Sequence, residues 1–279
     1  MAITTSVETI TPQMAMEYLN KNTKNRRIRK DAVAMIARDI ATGRFKTTHQ
    51  GIAFYEDGSL ADGQHRLTAI VKAGVPVEMM VTRGCKKDSM MAIDKGTARN
   101  TADILAMGNG DNDIASRALR SPYIISSINQ MCRNGLQSRV KLSAYETEAI
   151  FREYKDECIW LYKIAANKTG RKISAVTGAC LAAMVCGVEP SDVAKFMNVF
   201  RKYDVSGCVE KNVQAPLYLR RMIDEATLQK NRIHEKKLYL VAQNAIWHFV
   251  NNTDAQRIKM PDTQRYDISE KIGNIIRGE

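Results

Sequence analysis

The spacing of apolar residues gives the chain two parts of different character. Thr11-Pro12 reads as a helix N-cap followed by proline at the first helical position, opening a short helix through about Asn20. After a basic stretch, Asp31 caps a second helix, in which Val33, Ile36, Ala37 and Ile40 recur at i, i+3, i+4 and i+7 before Gly43 stops it. Gly51–Tyr55 predicts a strand, Glu56-Asp57-Gly58-Ser59 a hairpin turn, and Leu60-Ala61 a short return strand. A helical pattern through Leu67, Ile70 and Val71 ends at Gly74, and Val75–Val81 predicts the next strand. From about residue 100 the pattern is helical to the end. Ser143 and Glu146 have capping-box spacing, Ser174 opens an alanine-rich buried helix, Pro190 starts another, and Leu240, Ala242, Ile246 and Phe249 stripe a helix over 236–250. The expected fold class is therefore α+β: a small mixed N-terminal domain over 1–110 followed by an all-helical C-terminal domain over 111–279. The boundary is set where Gly108, Gly110 and neighbouring Asn and Asp residues cluster.

Composition narrows the class. The 279 residues are 44% hydrophobic and 26% charged, ordinary globular values that argue against disorder. No run of 18 apolar residues occurs, and the first residues have neither a basic start nor an apolar core, so a soluble chain of the cytoplasm, without membrane contact, is expected. The net charge of +12 favours polyanionic partners, chiefly nucleic acid or nucleotide phosphates. It is spread along the chain: residues 1–110 carry 16 basic against 11 acidic side chains, and residues 111–279 carry 26 against 19. The six cysteines show no CxxC pair and no zinc spacing, so they read as reduced, small core residues. No metal site is expected from the histidines, and Trp160 and Trp247 read as core. Glycine-loop ATPases, GxSxG hydrolases and HExxH proteases lack their motifs here.

One short run carries chemistry: Asp62-Gly63-Gln64-His65-Arg66, between a strand and a helix. The amides of a helix's first turn attract phosphate, and Gly63 lets the backbone come close to a ligand. Gln64 joins this loop as a phosphate contact. Arg66 offers a forked, permanently charged donor set, while Asp62 or His65 would supply any proton chemistry. The same residues also read as a plain turn, with Asp62 as helix N-cap and His65 and Arg66 on a solvated face.

The segment from about Asn25 to Val81 resembles the ParB/sulfiredoxin-like superfamily. More closely, it resembles phage and prophage ParB-like proteins carrying a DGQHR motif. The matching residues are Asn25-Arg26, the helix from Asp31 to Gly43, Leu60 to Leu67, Gly74 and Val75-Pro76-Val77. The resemblance implies a ParB/sulfiredoxin-like N-terminal domain in which the loop at Asp62–Arg66 lies against nucleotide phosphates and Asn25 and Arg26 fold over the same pocket. Gln64 stands where sulfiredoxins place their catalytic cysteine, so sulfinic-acid reduction is not implied. Partition proteins that bind CTP carry a Gly-Glu-Arg-Arg-type loop and a helix-turn-helix, neither of which is legible here. A second run, Ile93 to Thr101, matches an Asp-x-Gly-x-x-Arg stretch of the phage group and adds Asp94 and Arg99 to the phosphate site, with Asn100 or Thr101 as a helix cap in the plainer reading.

The expected function is binding of a nucleotide or nucleic-acid phosphate by a phage-type protein. A nucleotide hydrolase or phosphotransferase acting with DNA, using a nucleoside triphosphate with Mg²⁺, is one form of it. The alternative is a non-enzymatic module that keeps the ParB-like fold and grips DNA or a host protein in the bacterial cytoplasm.

Overall fold

The computed structural model describes residues 2–22, 27–87, 100–108, 111–136, 140–166, 173–255 and 257–279. The protein is mixed α/β, with a small four-stranded sheet near the N-terminus and helices after it. It divides into two compact units. The first comprises Met1–Arg99 with two returning segments, Val140–Tyr145 and Ile276–Glu279; the second comprises Asn100–Arg139 and Glu146–Ile275. Among the described residues no helix is long and apolar enough to cross a membrane.

The first unit runs β1 (Thr4–Ile10), α1 (Pro12–Asn20), α2 (Lys30–Ala41), β2 (Ile52–Tyr55), β3 (Leu60–Asp62), α3 (Gln64–Ala73) and β4 (Val77–Cys85). Thr11 caps α1, its hydroxyl accepting from the Met14 amide at 3.2 Å. Arg29, rather than Asp31, is the N-cap of α2, and Asp31 sits in its first turn. The strands lie in the order β1-β4-β2-β3; β4 pairs antiparallel with β1 and parallel with β2, and β2 pairs antiparallel with β3. The β2–β3 turn holds Gly58 at φ +77°, as an Asp-Gly turn requires. A parallel neighbour needs a crossover, and α3 supplies it between β3 and β4. The core joins Leu67 and Ile70 of α3 to Val33, Ala37 and Ile40 of α2 and to Ile52, Phe54, Met79 and Val81 of the sheet. Each such large aliphatic side chain contributes about 2 kcal/mol by leaving water.

The returning segments attach to the end of α2. Arg38 donates to the Lys141 carbonyl at 2.7 Å, and the Ser143 hydroxyl donates to the buried Asp39 carboxylate at 2.9 Å. Arg44 donates to the Ile276 carbonyl at 3.4 Å.

The second unit contains α4 (Thr101–Gly108), α5 (Ile114–Leu119), α6 (Pro122–Gly135), most of α7 (Ala144–Glu153), α8 (Lys155–Ala166), α9 (Ser174–Val185), α10 (Pro190–Lys202), α11 (Glu210–Leu228), α12 (Glu235–Val250) and most of α13 (Ser269–Arg277). Asn100 caps α4 and exchanges side-chain bonds reciprocally with Asp103, at 2.9 and 3.0 Å. Residues Ala175 to Val185 of α9 are all buried, so this helix is the axis of the unit, packed on α6 and α12. At Gly178 a β-carbon would lie 2.9 Å from Gln130 Cβ and 3.0 Å from the Ser127 carbonyl, which lets α6 and α9 approach closely. Ser127 and Thr177 share a buried hydroxyl–hydroxyl bond of 2.7 Å across the same contact.

Two sequence expectations about the core are corrected. Trp160 is 41% exposed, on the outer side of α8. Cys132, Cys158 and Cys180 are buried, and burial pushes their thiols far above the usual range, whereas Cys85, Cys186 and Cys208 are only half-buried.

Candidate functional site

The turn from β3 into α3 is made by one residue. Gly63 adopts φ +105°, a conformation an L side chain rarely takes, and serves as the N-cap of α3. Its carbonyl accepts the first helical bond from the Leu67 amide at 2.9 Å, and no side chain caps the helix. Asp62, read in the plainer account as the cap, ends β3 instead and is exposed.

Beside this turn lies a cavity of about 600 Å³. Its wall is formed by Arg29, by His49, Gln50 and Gly51 before β2, and by Asp62, Gly63, His65 and Arg66; Ala32, Ile36, Ile52 and Ala53 give it an apolar side. The Arg66 guanidinium is not on a solvated face. Its side chain is 21% exposed, and it donates from Nη1 to the Gly51 carbonyl at 3.0 Å and from Nη2 to Gln50 at 3.3 Å. The Asp62 carboxylate stands 3.7 Å from Nη1, longer than a hydrogen bond, and is itself 55% exposed. A pair that open leaves the guanidinium largely able to meet another anion.

His65 is held differently. Its Nε2 accepts from the Arg29 amide at 3.0 Å, which assigns the ring proton to Nδ1 and fixes the start of α2 against α3. Arg29 extends into the cavity wall, 65% exposed, with Asp31 at 3.5 Å. Gln64 takes no part in the wall. It is buried, and its Oε1 accepts from Asn22 at 3.1 Å, tying the end of α1 to the start of α3. The structure thus brings Asp62, Gly63, His65 and Arg66 to one cavity and turns Gln64 away from it. Asn25, Arg26, Asp94 and Arg99 lie outside the described residues.

Four contributors were not singled out in the sequence: Arg29, His49, Gln50 and Gly51. Arg29 belongs to the basic run Lys21–Lys30, of whose described members Lys21 and Arg29 have different neighbours. Lys21 lies 5.5 Å from the Tyr18 ring centre and 5.8 Å from that of Phe54, while Arg29 turns to the cavity. His49 stands alone among polar residues and gave no periodic signal.

The arrangement can hold an anion. Two guanidinium groups and the positive end of α3 face the cavity with one carboxylate, Asp62, in its wall and a second, Asp31, beside Arg29, and the apolar side offers a surface for an uncharged group. Among the described residues no three His, Cys, Asp or Glu side chains are grouped to hold a metal ion. A divalent ion accompanying phosphates would find Asp62 as the carboxylate of this wall. Comparisons with protein-family models, with curated proteins and with solved structures find no match to this chain.

Proposed function

We propose that the N-terminal unit binds the phosphate of a nucleotide or nucleic acid in the cavity beside Asp62–Arg66. One observation carries the reading: the Arg66 guanidinium, Arg29 and the first turn of α3, uncapped by any side chain, converge on a single concavity of about 600 Å³. That volume suits a ligand of nucleotide size, with phosphate at the cationic wall and the base against Ile36 and Ala32. The DGQHR run and its resemblance to phage ParB-like proteins support the same reading, and such a protein would act in the cytoplasm of a bacterial host. When a nucleoside triphosphate brings Mg²⁺, Asp62 is the residue that would meet the ion.

The position of His65 favours the binding form over the hydrolase or phosphotransferase form. Its Nε2 lone pair is occupied by the Arg29 amide, so proton acceptance in this wall falls to Asp62 or His49. Titration with labelled ATP, CTP and GTP, with and without Mg²⁺, tests the proposal. At least one nucleotide should bind below about 1 mM, and Arg66→Ala should weaken it by about tenfold or more. No binding below that range, together with unaltered DNA binding by Arg66→Ala, would overturn it. Phosphate release would favour the enzymatic form.

A further inference from the structure

A second cationic concavity lies on the helical unit, unconnected in sequence with the DGQHR run. Its volume is about 360 Å³, and it is lined by Arg133 and Asn134 at the end of α6 and by Arg232, His234, Glu235 and Lys236 around the start of α12. The segment from Lys230 to Lys237 carries four cations, all exposed. Glu235 is the acid of the group, and it is engaged by Arg133 at 3.3 Å. Among the described residues, Lys230, Arg232, Lys236 and Lys237 form no ion pair. His234 adds a directed donor: its Nδ1 accepts from the Lys236 amide at 3.3 Å, which leaves the ring proton on Nε2.

We propose that this concavity is a contact for the phosphodiester backbone of nucleic acid, made without base reading. Like charges crowded around one concavity repel, and a polyanion relieves that repulsion while releasing its own counterions. The lining argues for nucleic acid over a lipid surface, because it is concave and none of its residues is a large exposed apolar side chain for insertion. Forked guanidinium donors beside an imidazole N–H suit phosphate oxygens.

The test is fluorescence anisotropy of the full chain with a labelled 25-base-pair duplex at several salt concentrations between 50 and 200 mM. Arg232→Gln/Lys236→Gln/Lys237→Gln should bind about tenfold or more weakly near 0.1 M salt. The slope of log affinity against log salt should become shallower by about 2.7, corresponding to three lost phosphate contacts. Glu235→Gln removes the acid and keeps the cations, so it should bind more tightly; it decides the matter if the triple variant does not fold. Unchanged affinity and slope would overturn the proposal. So would equal competition by polyglutamate or by phosphatidylserine vesicles at matched charge.

Discussion

Arg66 is aimed by Gly51: the guanidinium donates to the Gly51 carbonyl at 3.0 Å, and that carbonyl is fixed because the residue bearing it has no room for a side chain. A β-carbon at position 51 would lie 1.7 Å from the Met80 carbonyl oxygen and 2.6 Å from its carbon, on the strand that pairs with β2. Both obstacles are backbone, so relief requires β2 and β4 to part. Gly51→Ala should therefore lose at least about 2 kcal/mol in urea unfolding. A well-folded Gly51→Ala should bind nucleotide more weakly than wild type, since Arg66 loses its anchor.

Gly63 and Gly74 bracket α3 and both have positive φ, but their surroundings differ. A β-carbon added to Gly74, at φ +69°, would meet nothing within 4 Å, whereas one on Gly63, at φ +105°, would stand 3.1 Å from Ile52 Cα and Cγ1. Gly74→Ala should cost only the backbone strain, about 1 kcal/mol. Gly63→Ala adds a clash with the buried start of β2 and should cost roughly 2–3 kcal/mol. Thermal melts of the two variants check the ranking, and equal losses would mean that the Gly63–Ile52 contact relaxes without penalty.

These contrasts show what the sequence could and could not disclose. Gly63, Gly74 and the Asp57-Gly58 turn were legible because each is local: chain direction changes there, and the residue type announces it. β1 was not legible, because most of Thr4–Ile10 is exposed at a sheet edge and only Ile10 is buried, which erases apolar alternation. For the same reason β4 runs on through Thr82, Arg83, Gly84 and Cys85, polar or small residues of which Thr82 and Arg83 pair with Thr5 and Thr4 of β1 and Cys85 pairs with Tyr55 of β2. Gln64 illustrates the opposite failure. It sits in the motif yet faces inward to Asn22, since the first residue of α3 points to the core side when Gly63 turns the chain. Gly51 and Arg29 depend on partners 29 and 36 residues away, Met80 and His65, which no local pattern encodes.

A pH dependence follows from the β1–β4 contact. Glu8 and Arg83 form a two-pronged ion pair, Nη2 lying 2.9 Å from Oε2, and Nη2 also donates to the Tyr18 hydroxyl at 3.4 Å. The hydrogen bonds from Arg83 hold the Glu8 carboxyl below its ordinary value of 4.5. A carboxylate with a depressed folded value stabilises the protein above its unfolded value and loses that contribution as pH falls through the folded one. Glu8→Gln should thus be less stable than wild type by about 0.5–1 kcal/mol at pH 7. The gap should close below the depressed value, in the acid range under pH 4.5, where both proteins carry a neutral side chain. Urea unfolding at pH 7 and in that acid range measures it, and a gap that persists in acid would assign the loss to the packing of Arg83 over the Phe54 ring, 5.7 Å from its centre.

The bond from the Arg29 amide to His65 separates a positioning role from a chemical one. His65→Gln keeps an acceptor within similar reach, whereas His65→Leu keeps bulk and removes it. If the ring serves to hold the start of α2, the leucine variant should lose about 0.5–1 kcal/mol and the protection of the Arg29 amide from hydrogen exchange, with the glutamine variant between it and wild type. Nucleotide affinity should follow the same order, because Arg29 reaches the cavity from the position that this bond fixes. A histidine that moved a proton would behave otherwise: His65→Gln would then keep nucleotide affinity and stability while abolishing phosphate release. The two patterns differ in which measurement the glutamine variant spares, so one pair of substitutions distinguishes a ring that positions Arg29 from one that takes part in turnover.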